Sequence, residues 1–212
     1  MRNLLACTLF GFLLVSGVTV ARADVNAGIS IDKDGIKSFY LAIGEHYNVP
    51  EKEVVVVREQ KIPDDELPVV FFIAGRAGVR PKAIIDLRLS GLSWMEISLH
   101  FKLHADIYYI DVPGNYGPPY GKALGHFKNR KRHQWREIRL GDPEIIDLVN
   151  LRFISDHYGW SPAEVIKMRE KGQSFVAING NVKHAKAEKS KETQLAQEKK
   201  ASNKSKGKGR KK

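Results

Sequence analysis

The sequence predicts an all-α protein built from stacked helix-turn-helix (helical hairpin) repeats, and three observations lead to this prediction. A unit of similar pattern recurs along the chain, which is typical of repeat folds. Within each unit, apolar residues lie three or four positions apart, as they do on amphipathic helices. Cys7 is the only cysteine, so the rest of the chain has neither disulfides nor thiolate metal sites and must be stabilised by packing.

The repeat becomes visible when Val49, Val79 and Trp160 are aligned. In each unit an apolar residue lies six positions before this point, and Asn or Gly lies immediately before it. An arginine lies nine positions after it: Arg58, Arg88 and Arg169. The second unit follows the first directly, whereas the third begins much further along the chain, which places a long insertion between the second and the third.

Each unit is predicted to form two short helices joined by a tight turn. Asn or Gly before the aligned residue suits the left-handed conformation that ends a helix, and a proline then begins the next helix. Gly91 and Gly172 end the second helices, whereas Lys61 stands at this position in the first unit, which we expect to be the least regular. Two capping-box patterns support the helix starts: Ser93 with Glu96, and Ser161 with Glu164.

The predicted organisation has six segments. They are a signal peptide over 1–23, an N-terminal lead-in over 24–35, helical repeats 1 and 2 over 36–104, a loop-rich basic and aromatic insertion over 105–142, helical repeat 3 over 143–182 and a disordered Lys-rich tail over 183–212, called the basic tail below. The predicted helices cover 36–47, 50–60, 64–76, 81–90, 94–104, 143–158, 162–171 and 174–179.

The first segment has the features of a cleavable signal peptide. A positively charged start precedes the apolar run Leu4–Val20, and Ala21 and Ala23 supply the small residues that signal peptidase requires. We expect cleavage between Ala23 and Asp24, export to the periplasm or the extracellular space, and no integral membrane span in the mature chain. The alternative is an uncleaved anchor, although the run is at the lower limit of the about 20 residues that span a bilayer.

Positive charge is concentrated at the two ends of the chain. The formal net charge is +11, and the basic tail holds 12 Lys and Arg residues against three Glu, whereas residues 24–182 hold 21 basic and 21 acidic residues. A neutral body argues against a strong binder of duplex nucleic acid. The tail has too few apolar residues to offset the entropy of ordering. Residues 184–200, rich in Ala, Glu, Lys and Gln, are expected to be partly helical, and the residues after Ala201 to be coil. The tail is expected either to be solvated or to contact an anionic polymer or the envelope surface.

The insertion is the segment that bears most on function. Asp106–Asp111 is predicted to be a strand or a buried turn, and Pro113–Gly121 is too rich in turn formers to be helical. Cations and rings then alternate, which is typical of polyanion binding, because cations neutralise phosphate or sulfate and rings stack on bases or sugars. The candidate anion-binding residues are Lys122, Lys128, Arg130, Lys131, Arg132, Arg136 and Arg139, and the candidate stacking residues are Tyr116, Tyr120, Phe127 and Trp135. The alternative is that the rings anchor the insertion on the helices while the charges are solvated.

The pattern in Val79–Ile97 and Trp160–Ile178 resembles that of uncharacterised exported bacterial proteins with helical-hairpin repeats. Their pattern is apolar-x-Pro-x-x-Val-x-x-x-Arg-x-x-Gly-x-Ser, and the resemblance covers about half of the mature chain. The resemblance implies an all-helical fold and no known activity.

The three repeat arginines are interpreted as structural. Each would form an ion pair within its own unit, for example with Glu66 or Glu96 eight residues on. The alternative is a row of anion contacts.

No catalytic, cofactor-binding or metal site is predicted. His100 and His104 lie four apart on a predicted helix, but no third metal ligand accompanies them. Phosphate-loop and nucleophile-elbow spacings are absent from the sequence.

The sequence therefore predicts a non-enzymatic binding or envelope-associated protein that contacts anionic polymers through the basic tail and the 122–139 segment. One alternative is a helix-turn-helix nucleic-acid-binding protein, in which the units around Arg88 or Arg169 would dock on DNA. The other is an enzyme with its active site in the insertion region, with candidate participants His126, His133, Tyr120 and His100.

Overall fold

A computed structural model describes the backbone of residues 33–208 and the side chains of residues 34–199, and it contains no β-strand in this part of the chain. The predicted all-α fold is confirmed. The α-helices are α1 (Lys33–Tyr47), α2 (Glu51–Glu59), α3 (Leu67–Ala77), α4 (Pro81–Leu89), α5 (Trp94–His100), α6 (Tyr120–Lys128), α7 (Asp142–Tyr158), α8 (Pro162–Glu170) and α9 (Phe175–Lys208). Short 3₁₀ turns lie at Asp64–Glu66, Ala105–Tyr108 and Arg132–Glu137. The predicted signal peptide lies outside the described residues.

The three predicted units are the hairpins α1–α2, α3–α4 and α7–α8. The first helix of each hairpin is followed by a residue in the left-handed conformation, with φ of 55° at Asn48, 67° at Gly78 and 66° at Gly159. A second left-handed residue follows the second helix of each hairpin: Lys61 (64°), Gly91 (96°) and Gly172 (82°). The units therefore share their turns, and the first unit uses a side chain where the other two use glycine.

Only one of the two predicted capping boxes forms. Ser93 Oγ accepts from the Glu96 N–H at 3.3 Å, and the Glu96 carboxylate accepts from the Ser93 N–H at 2.8 Å. The prediction for Ser161 is wrong, because the Glu164 N–H donates to the Ser161 carbonyl oxygen at 3.0 Å and the hydroxyl caps nothing. The next serine, Ser174, accepts from the Ala177 N–H at 3.2 Å where α9 begins.

The core is built around α3 and α7, which pack against each other and receive the remaining helices on their other sides. All eight residues of Leu67–Ala74 are buried, so the first two turns of α3 are apolar around their whole circumference. Helix α7 contacts α1, α5, α6, α8 and α9 as well. The first helix of the third unit, α7, therefore packs against helices of the first two units.

The insertion is more ordered than the sequence predicts. The interval Asp106–Asp111 begins in the 3₁₀ turn Ala105–Tyr108, in agreement with the buried-turn alternative. Helix α6 begins at Tyr120, so the expectation of no helix holds only as far as Pro119. The sequence does not predict α6, because two glycines interrupt the amphipathic pattern of this helix. Gly121 is needed there, since a Cβ at this position would lie 2.0 Å from the Tyr116 carbonyl oxygen.

Helix α9 continues through the predicted tail boundary at residue 183 and ends at Lys208. Val182 is its last buried residue, and beyond it the described side chains are exposed except for Ala185, which is half-buried. Ala, Glu, Lys and Gln favour helix without any packing, in agreement with the partial helix expected over 184–200. Beyond Ala201, where coil is expected, the helix continues to Lys208. No helix in the described part of the chain is long and apolar enough to cross a membrane.

Candidate anion-binding surface

All seven predicted anion-binding residues are exposed in the structure. Lys122 is the one that lies near a carboxylate, with its Nζ 3.6 Å from Glu144 Oε1. The other six form no ion pair with any described residue. We call these six the basic insertion surface: Lys128, Arg130, Lys131, Arg132, Arg136 and Arg139.

Carbonyl oxygens, rather than carboxylates, hold three of these side chains. Lys128 Nζ donates to the Gly114 oxygen at 2.6 Å, Arg130 Nη1 to the His126 oxygen at 3.1 Å, and Arg139 Nη1 to the Arg136 oxygen at 3.2 Å. A guanidinium has five N–H donors, so one such bond leaves most of its donors free. The surface therefore keeps its positive charge and most of its hydrogen-bonding capacity.

The predicted stacking role is wrong for Tyr120 and Phe127, whose exposed fractions are 0% and 1%. Both side chains lie on the face of α6 that packs against α7, together with Ala123 and Leu124. The spacing of three and four residues between these positions is that of a buried helix face. It indicates burial only once the segment is known to be helical, and the start of this segment was predicted to be a loop.

The two other candidate rings serve as anchors. Trp135 is half-buried, and its Nε1 donates to the carbonyl oxygens of Phe127 at 3.1 Å and Arg130 at 3.2 Å. Tyr116 Oη donates to the Pro113 carbonyl oxygen at 2.7 Å. These bonds fix the conformation of the insertion, while Tyr120 and Phe127 hold it on α7, in agreement with the alternative interpretation.

Tyr109 completes an aromatic cluster that fixes the 3₁₀ turn Arg132–Glu137 against α6. The Trp135 ring centroid lies 4.5 Å from that of Tyr109 and 5.2 Å from that of Phe127. The Arg132 guanidinium carbon lies 5.3 Å from the Trp135 centroid, within the range of a cation–π contact. The cluster therefore positions Arg132.

A cavity of about 330 Å³ opens beside this cluster. We call it the arginine pocket, and its lining residues are Arg76, Asp106, Ile107, Tyr109, Arg132, Trp135 and Arg152. The three arginines come from three elements: the last turn of α3, the 3₁₀ turn Arg132–Glu137 and the middle of α7. None of them forms an ion pair with a described carboxylate.

Arg152 is the half-buried member of the pocket, and it donates from Nη2 to the Tyr109 carbonyl oxygen. Burial lowers the pKa of Arg152, the Asp156 carboxylate opposes this change, and the positive charge of Arg76 adds to it. Two guanidinium charges therefore lie near one another without a carboxylate in contact with either.

The sequence does not single out Arg76, Arg152 or Tyr109 as candidate site residues. The one available indication is that Arg76 stands where the other units have His46 and His157. The structure places Arg132 and Trp135, which were predicted to contact a ligand, beside these residues.

The repeat arginines are occupied in ion pairs between helices. Arg88 binds Glu66 and Asp142, and Arg169 binds Asp147 at 3.1 Å, with 20% and 29% of the two arginine side chains exposed. Arg58 Nε binds Asp64 at 2.7 Å rather than Glu66, and Glu96 caps α5, so the predicted spacing of eight residues is wrong. Glu66 is instead paired with Arg88, and Glu96 with the start of α5. The interpretation of these arginines as structural is confirmed, and Arg88 and Arg169 do not offer free charges to DNA phosphates.

The candidate enzyme residues do not form one cluster of described contacts. His126 Nε2 lies 3.4 Å from Glu144 Oε1, His133 is exposed, and the Tyr120 hydroxyl is buried without a hydrogen-bond partner among the described residues. Helix α5 ends at His100, so His104 does not lie one turn further along the same helix. No group of three or more potential metal-ligating side chains is placed to hold a metal ion in the described part of the chain.

Comparison with sequence profiles of known families, with curated proteins and with solved structures finds no match.

Proposed function

We propose that the chain is an exported, non-enzymatic protein that binds anionic polymers through the basic insertion surface. The observation that carries the proposal is a set of six exposed cations between Lys128 and Arg139 that form no ion pair with a described carboxylate. A polyanion that contacts such a set releases its condensed counterions, which favours binding at low ionic strength.

The state of the aromatic side chains supports recognition through charge rather than through bases. Single-stranded nucleic acids gain affinity by stacking bases on exposed rings. Here Phe127 is buried and the Trp135 indole N–H is already bonded to two carbonyl oxygens. An acidic glycan or a lipopolysaccharide, whose charges are read without base stacking, therefore fits the surface better than a nucleic acid.

The basic tail supplies a second set of charges to the same function. Residues 183–208 of the basic tail belong to α9. At the α-helical rise this part is about 39 Å long. Its side chains are exposed as far as they are described, apart from Ala185. Two sets of contacts on one polymer reinforce each other, because the second set binds at the effective concentration created by the first.

Heparin chromatography of the full chain and matched variants tests the proposal. The surface variant replaces Arg130, Lys131, Arg136 and Arg139 with Gln, and it leaves Arg132 and the aromatic cluster intact. Its control replaces four exposed lysines on other elements with Gln, so that the loss of charge is equal: Lys37, Lys52, Lys167 and Lys171.

A third variant ends at Ala187 and tests the tail. This end point keeps the bond from Lys183 Nζ to Ser38 Oγ at 2.9 Å and the contact of Lys186 with the Tyr158 ring. We expect the surface variant and the truncated chain each to elute at lower salt than the full chain, and the lysine control to elute with it. Equal elution of the surface variant and the lysine control would reject the insertion as the binding surface.

Export is tested separately by sequencing the N-terminus of the protein recovered from the periplasm and the medium. A mature chain that starts at Asp24 supports the proposal, and full-length protein retained in the cytoplasm contradicts it.

A further inference from the structure

We propose that the arginine pocket is a binding site for a doubly charged phosphate group, either inorganic phosphate or the phosphate of a monoester. This site shares Arg132 with the basic insertion surface but recognises a single small group, so the inference goes beyond polymer binding.

The charge of the pocket matches such a group. Three arginines and one aspartate line the cavity, which gives a formal excess of two positive charges. A phosphate monoester carries about −1.5 to −2 at neutral pH. Without a ligand, Arg152 is half-buried near the charge of Arg76, and burial already disfavours its charged form. A dianion would neutralise this charge, and because Arg152 is already partly removed from water in the free protein, that part of the desolvation cost does not oppose binding.

The arrangement of the arginines fits a tetrahedral anion better than a planar one. The guanidinium groups reach the cavity from three separate elements, α3, α7 and the 3₁₀ turn Arg132–Glu137. A carboxylate offers two oxygens in one plane and is satisfied by one bidentate arginine, whereas a phosphate group offers three or four oxygens in different directions. Arg152 spends one N–H on the Tyr109 carbonyl oxygen and keeps its other donors.

Neighbouring contacts hold the pocket arginines in place before a ligand arrives. The Arg76 guanidinium lies 5.2 Å from the Phe72 ring centroid, and that of Arg132 lies 5.3 Å from the Trp135 centroid. These cation–π contacts restrict the side chains without consuming their positive charge. Preorganised side chains lose less conformational entropy on binding, which increases affinity.

The volume of the pocket allows the phosphate to be part of a larger molecule. A cavity of about 330 Å³ holds a phosphate group with space left over. Tyr109, Trp135 and Ile107 line it with partly apolar walls against which the remainder of an ester would pack. Both inorganic phosphate and a small monoester are therefore suitable probes.

Isothermal titration calorimetry of the full chain with inorganic phosphate, glycerol phosphate and acetate tests the inference. We expect saturable binding of phosphate at one site and at least about tenfold weaker binding of acetate, since acetate has two oxygens and a single charge. Binding of both phosphate probes identifies an ester pocket, whereas binding of inorganic phosphate alone identifies a site for the free ion; both results support a dianion site. Absence of saturable binding, or equal affinity for acetate, would overturn it.

Two variants and a control assign the binding to the pocket. Arg76→Gln changes an exposed side chain, so we expect it to fold normally, and Arg152→Gln tests the half-buried arginine. Each should weaken phosphate binding at least about tenfold, because each removes a charge-assisted hydrogen bond to the ligand. Arg80→Gln removes an exposed arginine that does not line the pocket and should change the affinity less than about twofold. Phosphate binding that survives Arg76→Gln in a folded variant would contradict the assignment.

The same variants separate this inference from the polymer-binding proposal. Arg76 is not part of the basic insertion surface, so Arg76→Gln should lose phosphate affinity and still elute from heparin with the full chain. The surface variant should elute from heparin at lower salt than the full chain and keep phosphate binding, since Arg76, Arg132 and Arg152 are unchanged in it.

Discussion

Arg88 and Glu66 are joined by two parallel hydrogen bonds, of 3.0 Å from Nε and 3.1 Å from Nη2. Glu66 precedes Arg88 by 22 residues, and Asp147 precedes its own partner Arg169 by the same number. Both arginines also donate to a carbonyl oxygen four residues further on, at Leu92 and Gln173. In the second and third hairpins the repeated arginine thus connects the start of the hairpin to its end, whereas Arg58 of the first hairpin binds Asp64, which follows it.

Removing this connection should destabilise the fold. We expect Arg88→Met to lower the free energy of unfolding by about 2–3 kcal/mol, because it leaves the partly buried carboxylates of Glu66 and Asp142 without their cation. The measurement is urea denaturation followed by circular dichroism. Lys82→Met is the control on the same helix, since the Lys82–Asp86 pair is exposed and should contribute less than about 0.5 kcal/mol. Similar losses in the two variants would show that Arg88 has no special structural role.

The left-handed residue of the first hairpin should be improved by glycine. Lys61 has φ of 64° where the other units have Gly91 and Gly172. A side chain in this conformation costs about 1–2 kcal/mol, and part of the gain from glycine is lost to its greater freedom in the unfolded chain. We expect Lys61→Gly to raise the free energy of unfolding by about 0.5–1 kcal/mol, measured by denaturation.

The reverse substitution is the control. Gly91→Ala should destabilise the protein by about 1 kcal/mol. A Cβ at Gly91 would meet nothing within 4 Å, so only the backbone conformation changes the stability. If Lys61→Gly destabilised the protein, the conformational cost at this turn would be assigned incorrectly.

The buried hydroxyl of Tyr120 should be dispensable. It has no hydrogen-bond partner among the described residues, and burial raises the pKa of Tyr120, so the group stays neutral. We expect Tyr120→Phe to leave the free energy of unfolding unchanged or to raise it by up to about 1 kcal/mol, since a desolvated hydroxyl is removed. Tyr108→Phe is the matched comparison, because it removes a 2.5 Å bond to Ser98 Oγ and should cost about 1 kcal/mol. A larger loss in Tyr120→Phe than in Tyr108→Phe would indicate a polar role for Tyr120.

Stability should fall as the medium becomes mildly acidic, because of His46 and His157. Their ring centroids lie 6.0 Å apart. Burial lowers the pKa of His46, and the charge of His157 lowers it further, against the opposing effect of Asp156. Burial also lowers the pKa of His157, against the opposing effect of Glu45. Below the unfolded value of about 6.5 the unfolded chain binds more protons than the folded one, so the free energy of unfolding decreases as the pH falls from 6.5 towards the folded pKa values.

Denaturation at pH 7.5 and pH 5.5 measures this loss, and His46→Phe should reduce it, because Phe packs beside Phe153 without titrating. The raised pKa values of Asp65 and Asp147, caused by burial, act in the opposite direction. Both carboxyl groups are the same in the two proteins and cancel in the comparison. An equal loss in the wild type and His46→Phe would show that the histidine pair does not control the pH dependence.

The hairpins could be predicted from the sequence because their turns have strict conformational requirements. Gly78, Gly91, Gly159 and Gly172 mark left-handed positions where other residues are strained, and these positions recur in register. Helix α6 could not be found in the same way, because Gly121 and Gly125 weaken its propensity. It is stabilised instead by tertiary packing of Phe127 and its neighbours against α7.

The candidate site was predictable only in part for a related reason. The charges of the basic insertion surface are adjacent in sequence, so composition identifies them. Burial of Tyr120 and Phe127 results from the packing of α6 on α7, and the two glycines of α6 obscure the helical spacing that indicates this buried face. The arginine pocket joins Arg76 and Arg152 to the insertion, and their wide separation along the chain hides this proximity.

The salt dependence of polymer binding tests the central claim most directly. The measurement is the equilibrium constant for a fluorescent heparin oligosaccharide over a series of NaCl concentrations, for the full chain, the surface variant and the lysine control. Since each neutralised charge contributes about 0.7–0.9 to the slope of log K against log salt, we expect the surface variant to have a slope shallower by about three and the lysine control to match the full chain. Identical slopes in all three proteins would contradict polyanion binding by the basic insertion surface.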